Sequence, residues 1–215
     1  MYFLIHKKGD KQSLGNYWPV SITSVPSKVL ESMVRDWLLQ HLTDHELLHS
    51  AQYKFLLKQW CTSQLLEVLD DWNTAIEDGQ PVDVCYLDFA KAFDLVPHGL
   101  LLRKLKAYGI TGNPLTWIES FLSGSLRRVL VQEGSSDWCL VTSGILQGSV
   151  LGPTLFIIYM NDLPECVTDC VRMFADDTKM YCEGRSRSLC QLCSRMSIPS
   201  FVGRKVAHPL QCKQM

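Results

Sequence analysis

The sequence predicts an α+β domain in which amphipathic helices accompany a small number of strands. Apolar residues recur at helical spacing over 28–42 and again over 63–76. They are Val29, Leu30, Met33, Val34, Trp37 and Leu38 in the first stretch, and Leu65, Leu66, Leu69, Trp72 and Ile76 in the second. Residues 82–89 form a β-branched and aromatic run typical of a buried strand. Two apolar arms, 171–174 and 180–182, flank an Asp-Asp pair and predict a hairpin with acids at its tip.

The remaining elements follow from turn residues and spacing. An extended stretch is predicted over 17–23, and helices over 98–108 and 114–122, separated by a Gly- and Pro-containing turn. Short strands over 128–132 and 138–142 are predicted to pair as a hairpin around residues 133–136. An apolar helix follows Gly152 and ends near Tyr159. After Gly184 the chain becomes rich in Ser, Arg, Cys and Gln without a sustained period, which predicts a weakly ordered tail over 185–215.

The composition is that of a globular domain. Hydrophobic residues make up 47% of the chain and charged residues 20%, so there is enough apolar material for a core. The formal net charge is −1, whereas a protein that neutralises phosphates has an excess of Lys and Arg. This balance argues against a strong nucleic-acid binder acting alone.

The sequence predicts an intracellular protein, nuclear or cytoplasmic, that is neither secreted nor membrane-bound. The nine cysteines are odd in number and form no disulfide framework. The apolar N-terminal residues meet His6, Lys7 and Lys8 too soon for a signal peptide. The longest apolar run, 150–160, contains Gly152 and Pro153 and is too short to cross a bilayer.

Three carboxylates stand at positions that suggest metal chemistry. Asp88 lies near the end of the predicted strand 82–89, where a charge is costly to bury unless a partner such as a metal ion is present. Asp176 and Asp177 are adjacent, and a divalent cation would relieve their repulsion. If the strands were neighbours, the three acids could hold two Mg²⁺ ions about 4 Å apart for phosphoryl transfer. Alternatively, Asp88 is a helix cap or turn residue, and the Asp-Asp pair is a solvated turn.

The residues around these acids resemble the reverse transcriptase family. Tyr86-Leu87-Asp88-Phe89-Ala90-Lys91-Ala92-Phe93-Asp94, Gln147-Gly148-Ser149-Val150-Leu151-Gly152-Pro153 and Phe174-Ala175-Asp176-Asp177 occur in the order of the palm motifs of that family. Asn16-Tyr17-Trp18-Pro19-Val20-Ser21 resembles the fingers motif, and Asn161-Asp162-Leu163-Pro164 is typical of the branch from retrotransposons without long terminal repeats, such as the LINE and jockey elements. The resemblance covers roughly residues 6 to 184.

The resemblance implies a right-hand polymerase fold with an antiparallel palm sheet packed on helices. Fingers and the fingers/palm helices would occupy 1–80, the palm 81–184, and a divergent tail 185–215, with the thumb absent from a truncated chain. Asp88, Asp176 and Asp177 would be the catalytic residues and ligands of two Mg²⁺ ions. The partners would be an RNA template, a DNA primer and deoxynucleoside triphosphates; protein partners are left open.

Five further residues would contact the incoming nucleotide if the resemblance holds. Phe93 takes the place of the bulky gate against a ribose 2′-hydroxyl, although core packing is the alternative. Gln147 and Gly148 belong to the loop that touches nucleotide and template, with Gly144 allowing the bend there. Lys7 or Lys8 would meet the triphosphate from the fingers, and a solvated lysine pair is the alternative.

Several positions depart from the family pattern. Trp18 stands where an arginine grips the triphosphate, and an indole has one donor and no charge. Leu146 replaces the proline that presets the palm loop. In the segment 52–61, Leu56 and Gln59 replace arginines. Lys54 and Lys58 replace glycines. These changes predict weakened phosphate and template contacts around a preserved acidic set.

The tail contains a second possible metal site. Cys190, Cys193, His208 and Cys212 match the ligand types of a zinc knuckle, but the intervening residues lack its pattern, so zinc is not expected. No endonuclease domain is expected in the sequence before the fingers.

Two functions therefore remain from the sequence. The first is a reverse transcriptase domain that copies RNA into DNA by two-metal phosphoryl transfer, impaired in this chain. The alternative is a catalytically dead retrotransposon remnant that binds nucleic acid or protein at most.

Overall fold

The computed structural model describes residues 2–13, 16–21, 23–53, 60–89, 92–123, 126–128, 130–131, 134–166, 170–183 and 202–206. Its α-helices are α1 (Val25–Asp44), α2 (Cys61–Glu77), α3 (His98–Ala107), α4 (Gly112–Leu122) and α5 (Gly152–Met160). Its strands are β1 (Tyr2–His6), β2 (Tyr17–Ser21), β3 (Val82–Phe89), β4 (Leu126–Arg127), β5 (Leu130–Val131), β6 (Gly134–Ser135), β7 (Cys139–Leu140), β8 (Cys170–Phe174), β9 (Asp177–Glu183) and β10 (Val202–Val206). No helix in the described part of the chain is long and apolar enough to cross a membrane.

The chain divides into two compact units. The first combines residues 1–47 with 93–159, and the second combines 48–92 with 160–215. Both units are therefore built from separated stretches of sequence, whereas the family resemblance predicted a linear boundary near residue 80.

The first unit contains four helices and short antiparallel ladders. β1 and β2 pair along their whole lengths, from Tyr2 opposite Ser21 to His6 opposite Tyr17. Ser24 caps the start of α1 by accepting a hydrogen bond from the Ser27 amide (3.3 Å), and a proline in the first turn has no N–H that needs a partner. α5 has no charged side chain, and all its residues except Pro153 and Tyr159 are buried.

The second unit contains a four-stranded antiparallel sheet in the order β10-β3-β9-β8. Alternate residues of β3, namely Cys85, Leu87 and Phe89, are buried, as are Val171 and Met173 of β8. α2 lies against this sheet, where Trp72 packs edge-on against Tyr181 with ring centroids 6.0 Å apart. The segment 51–53 continues the edge beyond β8, since the Tyr53 amide donates to the Met173 carbonyl (2.9 Å) and the Met173 amide to the Ala51 carbonyl (2.7 Å).

Several predicted elements match the structure closely. The strand over 82–89 has the bounds predicted for it, and the acidic hairpin forms from β8 and β9. The helices predicted over 28–42, 63–76, 98–108 and 114–122 are all present with ends shifted by a few residues.

The predicted hairpin between 128–132 and 138–142 is wrong in its pairing. β5 pairs with β6, which lies in the predicted turn, and β7 pairs with β4 instead. Residues 134–140 are all exposed, so no buried face selects one register over another.

The tail contributes a strand that the sequence did not predict. β10 pairs antiparallel with β3, with Gly203 opposite Asp88 and Val206 opposite Cys85. It lies within the segment 185–215 that was expected to be weakly ordered. The rest of that segment lies outside the described residues, so the expectation stays a prediction there.

Candidate active site

The palm-type sheet brings the backbone positions of the predicted acids together. β3 and β9 pair antiparallel, ending with Leu87 opposite Thr178. Asp88 is the residue after Leu87, and Asp177 is the residue before Thr178, so both acids directly adjoin the last pair of this ladder in sequence. Asp177 is also paired with Phe174 across the hairpin. The strand pairing on which the metal-site argument depends is therefore present, because β3 and β9 are neighbours.

The turn between β8 and β9 presents Asp176 and Asp177 towards solvent. Asp176 is half-buried and Asp177 is exposed. Ala175, which precedes them, has φ of 58°, in the left-handed region that residues with a Cβ rarely adopt. Ala175 is buried, and its amide donates to Oε1 of Gln52 (3.1 Å). Gln52 itself bridges to Met173 of β8, so the turn is held from the edge of the sheet.

A pocket of about 320 Å³ lies along this part of the sheet. The start of α2 contributes two of its lining residues and the strands contribute the remainder. The lining consists of Cys61, Gln64, Tyr86, Leu87, Phe174, Asp177, Thr178 and Lys179. An acid, a lysine and aromatic rings around one cavity can accommodate a charged ligand that also has a flat apolar part.

A polar cluster connects α2 to β8 and β9. Arg172 Nη2 lies 3.5 Å from Asp71 Oδ2, and its Nε lies 3.6 Å from Glu67 Oε2. The hydroxyl of Tyr53 donates to Glu67, and that of Tyr181 donates to Asp71.

Both tyrosines of this cluster hold their protons more tightly than usual. Burial, followed by the hydrogen bond to Glu67, raises the pKa of Tyr53 to about 12. Burial and the hydrogen bond to Asp71 raise the pKa of Tyr181 well above its ordinary value. The hydrogen bonds of this cluster therefore depend on Tyr53 and Tyr181 remaining protonated beside Glu67 and Asp71.

The 144–151 loop, in the first unit, carries Gln147 and Gly148. The Ser21 amide of β2 donates to the Gln147 carbonyl (3.0 Å), and the Ile145 amide donates to the Phe93 carbonyl (2.7 Å). Nε2 of His98 donates to the Gly144 carbonyl (2.7 Å). The loop is thus attached to several other segments of its unit.

Two glycines of this loop cannot be replaced without collision. Gly144 has φ of 90°, and a Cβ there would lie 2.6 Å from the Asp94 carbonyl oxygen. Gly148 has φ of 94°, and its Cβ would lie 2.6 Å from the Ser21 carbonyl oxygen. Both the conformation and the close backbone approach therefore require glycine.

The other predicted nucleotide contacts also belong to the first unit. Phe93 is half-buried and stacks on Phe156, with ring centroids 4.5 Å apart. This contact fits the packing alternative directly and also fixes the ring that the gate alternative requires. Lys7 and Lys8 are exposed in the turn that follows β1, where the Lys7 amide donates to the Asn16 carbonyl (2.8 Å).

The departures from the family pattern are only partly within the described residues. Trp18 lies in β2 opposite Ile5, and its side chain is outside the described part. Residues 54–59, which include Lys54, Leu56, Lys58 and Gln59, are outside it too. Leu146 is half-buried, and its carbonyl accepts the Ser149 amide (3.2 Å).

No group of three or more potential metal ligands is present among the side chains that the structure describes, and the Asp88 side chain is not one of these. The carboxylates of Asp176 and Asp177 nevertheless belong to the ligand type that Mg²⁺ prefers. The possible zinc ligands Cys190, Cys193, His208 and Cys212 lie outside the described residues.

Glu31 and Gln52 were not recognised from the sequence as site residues. Glu31 is fully buried in α1, on the side of the helix that also buries Leu38 and Leu42. The one signal in the sequence was spacing: Glu31 lies seven residues before Leu38, which places both on the same side of a helix. Gln52 precedes a buried tyrosine, and no residue pattern distinguishes it, because its partner Ala175 is remote in sequence.

The chain matches a known protein family over most of its length. The model for reverse transcriptase (RNA-dependent DNA polymerase) matches residues 5–198. The match extends past residue 184, where the resemblance seen in the sequence was expected to end. The RNA-directed DNA polymerase from the mobile element jockey of Drosophila funebris is 31% identical over 73% of this chain and 17% of its own length. The jockey polymerase of Drosophila melanogaster is 29% identical over 85% of this chain and 21% of its own length. The chain thus spans about a fifth of these curated relatives.

Solved telomerase structures share the fold. The telomerase of Candida tropicalis, in complex with a TWJ fragment of telomeric RNA, aligns with a TM-score of 0.57 at 13% identity, over 78% of this chain and 30% of that one. The corresponding Candida albicans structure aligns with a TM-score of 0.58 at 11% identity, over 77% and 32%. At such identities the likeness concerns the fold alone, which is a partial fingers and palm.

Proposed function

Because the chain belongs to the reverse transcriptase family, in the branch of retrotransposons without long terminal repeats, we propose that its sheet carries a polymerase metal site formed by Asp88, Asp176 and Asp177. The observation that supports this site is the pairing of β3 with β9, whose last pair is Leu87 opposite Thr178. Asp88 follows Leu87 directly, and Asp177 directly precedes Thr178 beside the turn at Asp176. Carboxylates that converge at one point would hold two Mg²⁺ ions.

The proposed reaction is template-directed DNA synthesis on RNA. The 3′-hydroxyl of a DNA primer attacks the α-phosphate of a deoxynucleoside triphosphate, and pyrophosphate leaves. When bound, the Mg²⁺ ions would activate the attacking oxygen and stabilise the charge that develops on the phosphate. The protein's part is to hold the reactants in line.

The remaining predicted residues would position the nucleotide. Gly148 lets the backbone of the 144–151 loop approach a ligand without a side chain in the way, and Gln147 offers an amide that donates and accepts. Phe93, fixed by its stacking on Phe156, would stand against a ribose 2′-hydroxyl. The exposed Lys7 and Lys8 would contribute positive charge to the triphosphate.

We also infer that this activity is impaired. Trp18 supplies no charge where the family has an arginine, and Leu146 lacks the restricted φ of the usual proline. The second candidate function, a catalytically dead chain that binds nucleic acid or protein at most, is favoured by the same substitutions.

Divalent-cation binding tests the metal site separately from turnover. Calorimetric titration of the full chain with Mn²⁺ and with Mg²⁺ should detect binding that weakens about tenfold or more in Asp176→Ala, because a direct ligand is lost. Asp78→Asn, which changes an exposed carboxylate at the end of α2, is the matched control and should bind like the wild type. Equal binding by Asp176→Ala and the wild type would exclude the proposed site.

Primer extension on an RNA template with Mg²⁺ tests the impairment. Little or no extension is expected from the wild type. The double variant Trp18→Arg with Leu146→Pro is not expected to restore it, because Leu56 and Gln59 would still stand where the family pattern has arginines. Robust wild-type extension that disappears in Asp176→Ala would establish the polymerase and refute the impairment.

A further inference from the structure

Glu31 is a buried acid in the middle of α1 whose side chain has no exposed surface. Removing a carboxylate from water is unfavourable unless hydrogen bonds replace its hydration. Its Oε2 accepts from the backbone amides of Val150 (2.7 Å) and Leu151 (3.3 Å), and its Oε1 accepts from the hydroxyl of Ser27 (3.1 Å). The carboxylate is therefore held by specific donors on both oxygens.

The two amides that it binds directly precede α5, which begins at Gly152. The first N–H groups of a helix have no acceptor within the helix and need one from elsewhere. Ser149 Oγ accepts the Gly152 amide (2.9 Å), which accounts for one of them. Glu31 supplies the acceptor for Val150 and Leu151, and its charge lies at the positive end of the helix dipole. A residue of α1 thus acts as a cap for a helix more than a hundred positions later.

These amides also form the last part of the 144–151 loop. Earlier in the loop, the attachments are made by backbone groups, such as the Ser21 amide on the Gln147 carbonyl. Gln147 and Gly148 therefore lie between a backbone anchor at β2 and the side-chain anchor at Glu31. Release of either anchor would allow this part of the loop to move.

We propose that Glu31 is a positioning residue for nucleotide binding, which fixes Gln147 and Gly148 by holding the amides of Val150 and Leu151. This inference rests on the proposed function, because it takes the 144–151 loop to be a nucleotide contact. Glu31 itself is buried and does not touch the substrate. It raises the fraction of molecules whose loop is in the binding-competent conformation, and apparent affinity scales with that fraction.

Three substitutions of Glu31 distinguish the effect of its hydrogen-bond acceptor from the effects of its charge and of its side-chain length. Glu31→Gln retains an acceptor oxygen for the two amides and can donate to Ser27 Oγ through its NH₂ group. Glu31→Asp keeps the charge but is one methylene shorter and cannot reach the same donors. Glu31→Ala removes the acceptor. His41→Phe is the matched control, because His41 also belongs to α1 and makes a long-range hydrogen bond, to the Tyr108 carbonyl (2.8 Å), that does not involve the loop.

Backbone hydrogen exchange in the full chain measures the anchor directly. The amides of Val150 and Leu151 should exchange about tenfold faster or more in Glu31→Asp and Glu31→Ala, because each loses a buried acceptor. In Glu31→Gln, exchange should rise by less than about fivefold. This variant keeps the acceptor and loses only the interaction of the negative charge with the helix dipole. His41→Phe should leave these two amides unchanged under conditions where the chain remains folded.

The proposal is overturned if these amides exchange in Glu31→Ala as they do in the wild type. It is also overturned if their exchange rises no more in Glu31→Ala than in His41→Phe, because the rise would then reflect global unfolding. It is equally overturned if Glu31→Gln loses as much protection as Glu31→Ala, since the acceptor would then not be what holds the loop.

Equilibrium binding of a deoxynucleoside triphosphate in the presence of Mg²⁺ provides the functional measurement. Affinity should fall in Glu31→Asp and Glu31→Ala by roughly the factor seen in hydrogen exchange, and should be retained in Glu31→Gln and His41→Phe. Unchanged affinity in Glu31→Ala would overturn the positioning role. If the wild type binds no nucleotide at all, the proposed function and the functional half of this inference both fail, while the exchange data still decide whether Glu31 anchors the loop.

Discussion

The 144–151 loop and the turn at Ala175-Asp176 both contain residues with a positive φ, but they accommodate them in different ways. Each carries predicted active-site residues and each contains a positive φ. In the loop the positive φ falls on Gly144 and Gly148, and neighbouring backbone comes so close that no side chain would fit. In the turn it falls on Ala175, which has a Cβ, and the Gln52 side chain holds the alanine amide.

The difference indicates where each region is vulnerable. The loop depends on the absence of side chains at two positions, so it should tolerate changes around it but not at its glycines. The turn depends on a side chain that is distant in sequence, that of Gln52. The two strands of its hairpin carry Arg172 and Tyr181 of the polar cluster. The turn should therefore respond to substitution of Gln52, and the strands of the hairpin should respond to pH.

The largest effect is expected at the loop glycines. Gly148→Ala combines left-handed strain with a Cβ placed 2.6 Å from the Ser21 oxygen, and should lower the free energy of unfolding by about 3 kcal/mol. Gly112→Ala is the matched control, because Gly112 also has a positive φ (64°) but no atom within 4 Å of its Cβ position. It should lose only about 1 kcal/mol. Urea unfolding measures both, and equal losses would show that the close approach to β2 carries no cost.

A smaller effect is expected when alkaline pH acts on the turn region. The pKa of Tyr53 is raised from 10.0 to about 12 in the folded chain, so the folded state favours the neutral phenol. That contribution to stability is complete below pH 10 and disappears as the pH rises towards 12. The pKa of Tyr181 is raised as well, so its ionisation acts in the same direction.

Unfolding by urea at a series of pH values tests this dependence. Stability should decline from about pH 10 upwards, and less steeply in the double variant Tyr53→Phe with Tyr181→Phe, which has no phenol to ionise in the cluster. An identical decline in both proteins would show that ionisation of Tyr53 and Tyr181 does not cause the loss of stability.

The smallest effect is a coupling between Gln52 and Ala175. Gln52→Ala removes the acceptor of the Ala175 amide and should cost about 2 kcal/mol. Ala175→Gly relieves the left-handed strain at the expense of chain entropy, so it should change stability by less than about 1 kcal/mol.

In the double variant, the loss caused by Gln52→Ala should shrink by about 1 kcal/mol, because the turn then needs less support. Additive losses would mean that Gln52 does not hold the strained residue in place. The full double-mutant cycle, measured by urea unfolding, gives the coupling.

The elements that sequence patterns predicted best are those with a strong local signature. β3 has the predicted bounds, because a continuous β-branched and aromatic run has no competing interpretation of similar length. The Asp-Asp hairpin was predictable from its two apolar arms. The order of the motifs indicated the family, and with it the candidate site residues, which spacing alone left open between metal ligands and turn residues.

The buried faces of α1 and α2 were not predictable in the same way. The apolar residues that defined these helices by spacing are largely exposed, as for Met33 and Leu66, whereas Glu31 and Gln64 are buried. A hydrophobic stripe indicates a helix, but it does not say which side the neighbouring elements cover. The Glu31 and Gln52 contacts span more than a hundred residues each, a separation that local patterns do not encode.

α5 has a further consequence for the order of folding. The helix contains nine residues and no charged side chain, so in isolation it is too short to be stable in water. The amides of Val150 and Leu151, which directly precede it, are bound by Glu31, and Nζ of Lys104 donates to the Tyr159 carbonyl (2.6 Å) at its other end. Both charges come from other helices. α5 should therefore become helical only after α1 and α3 have formed and come together, which makes this central helix a late and cooperative step in folding.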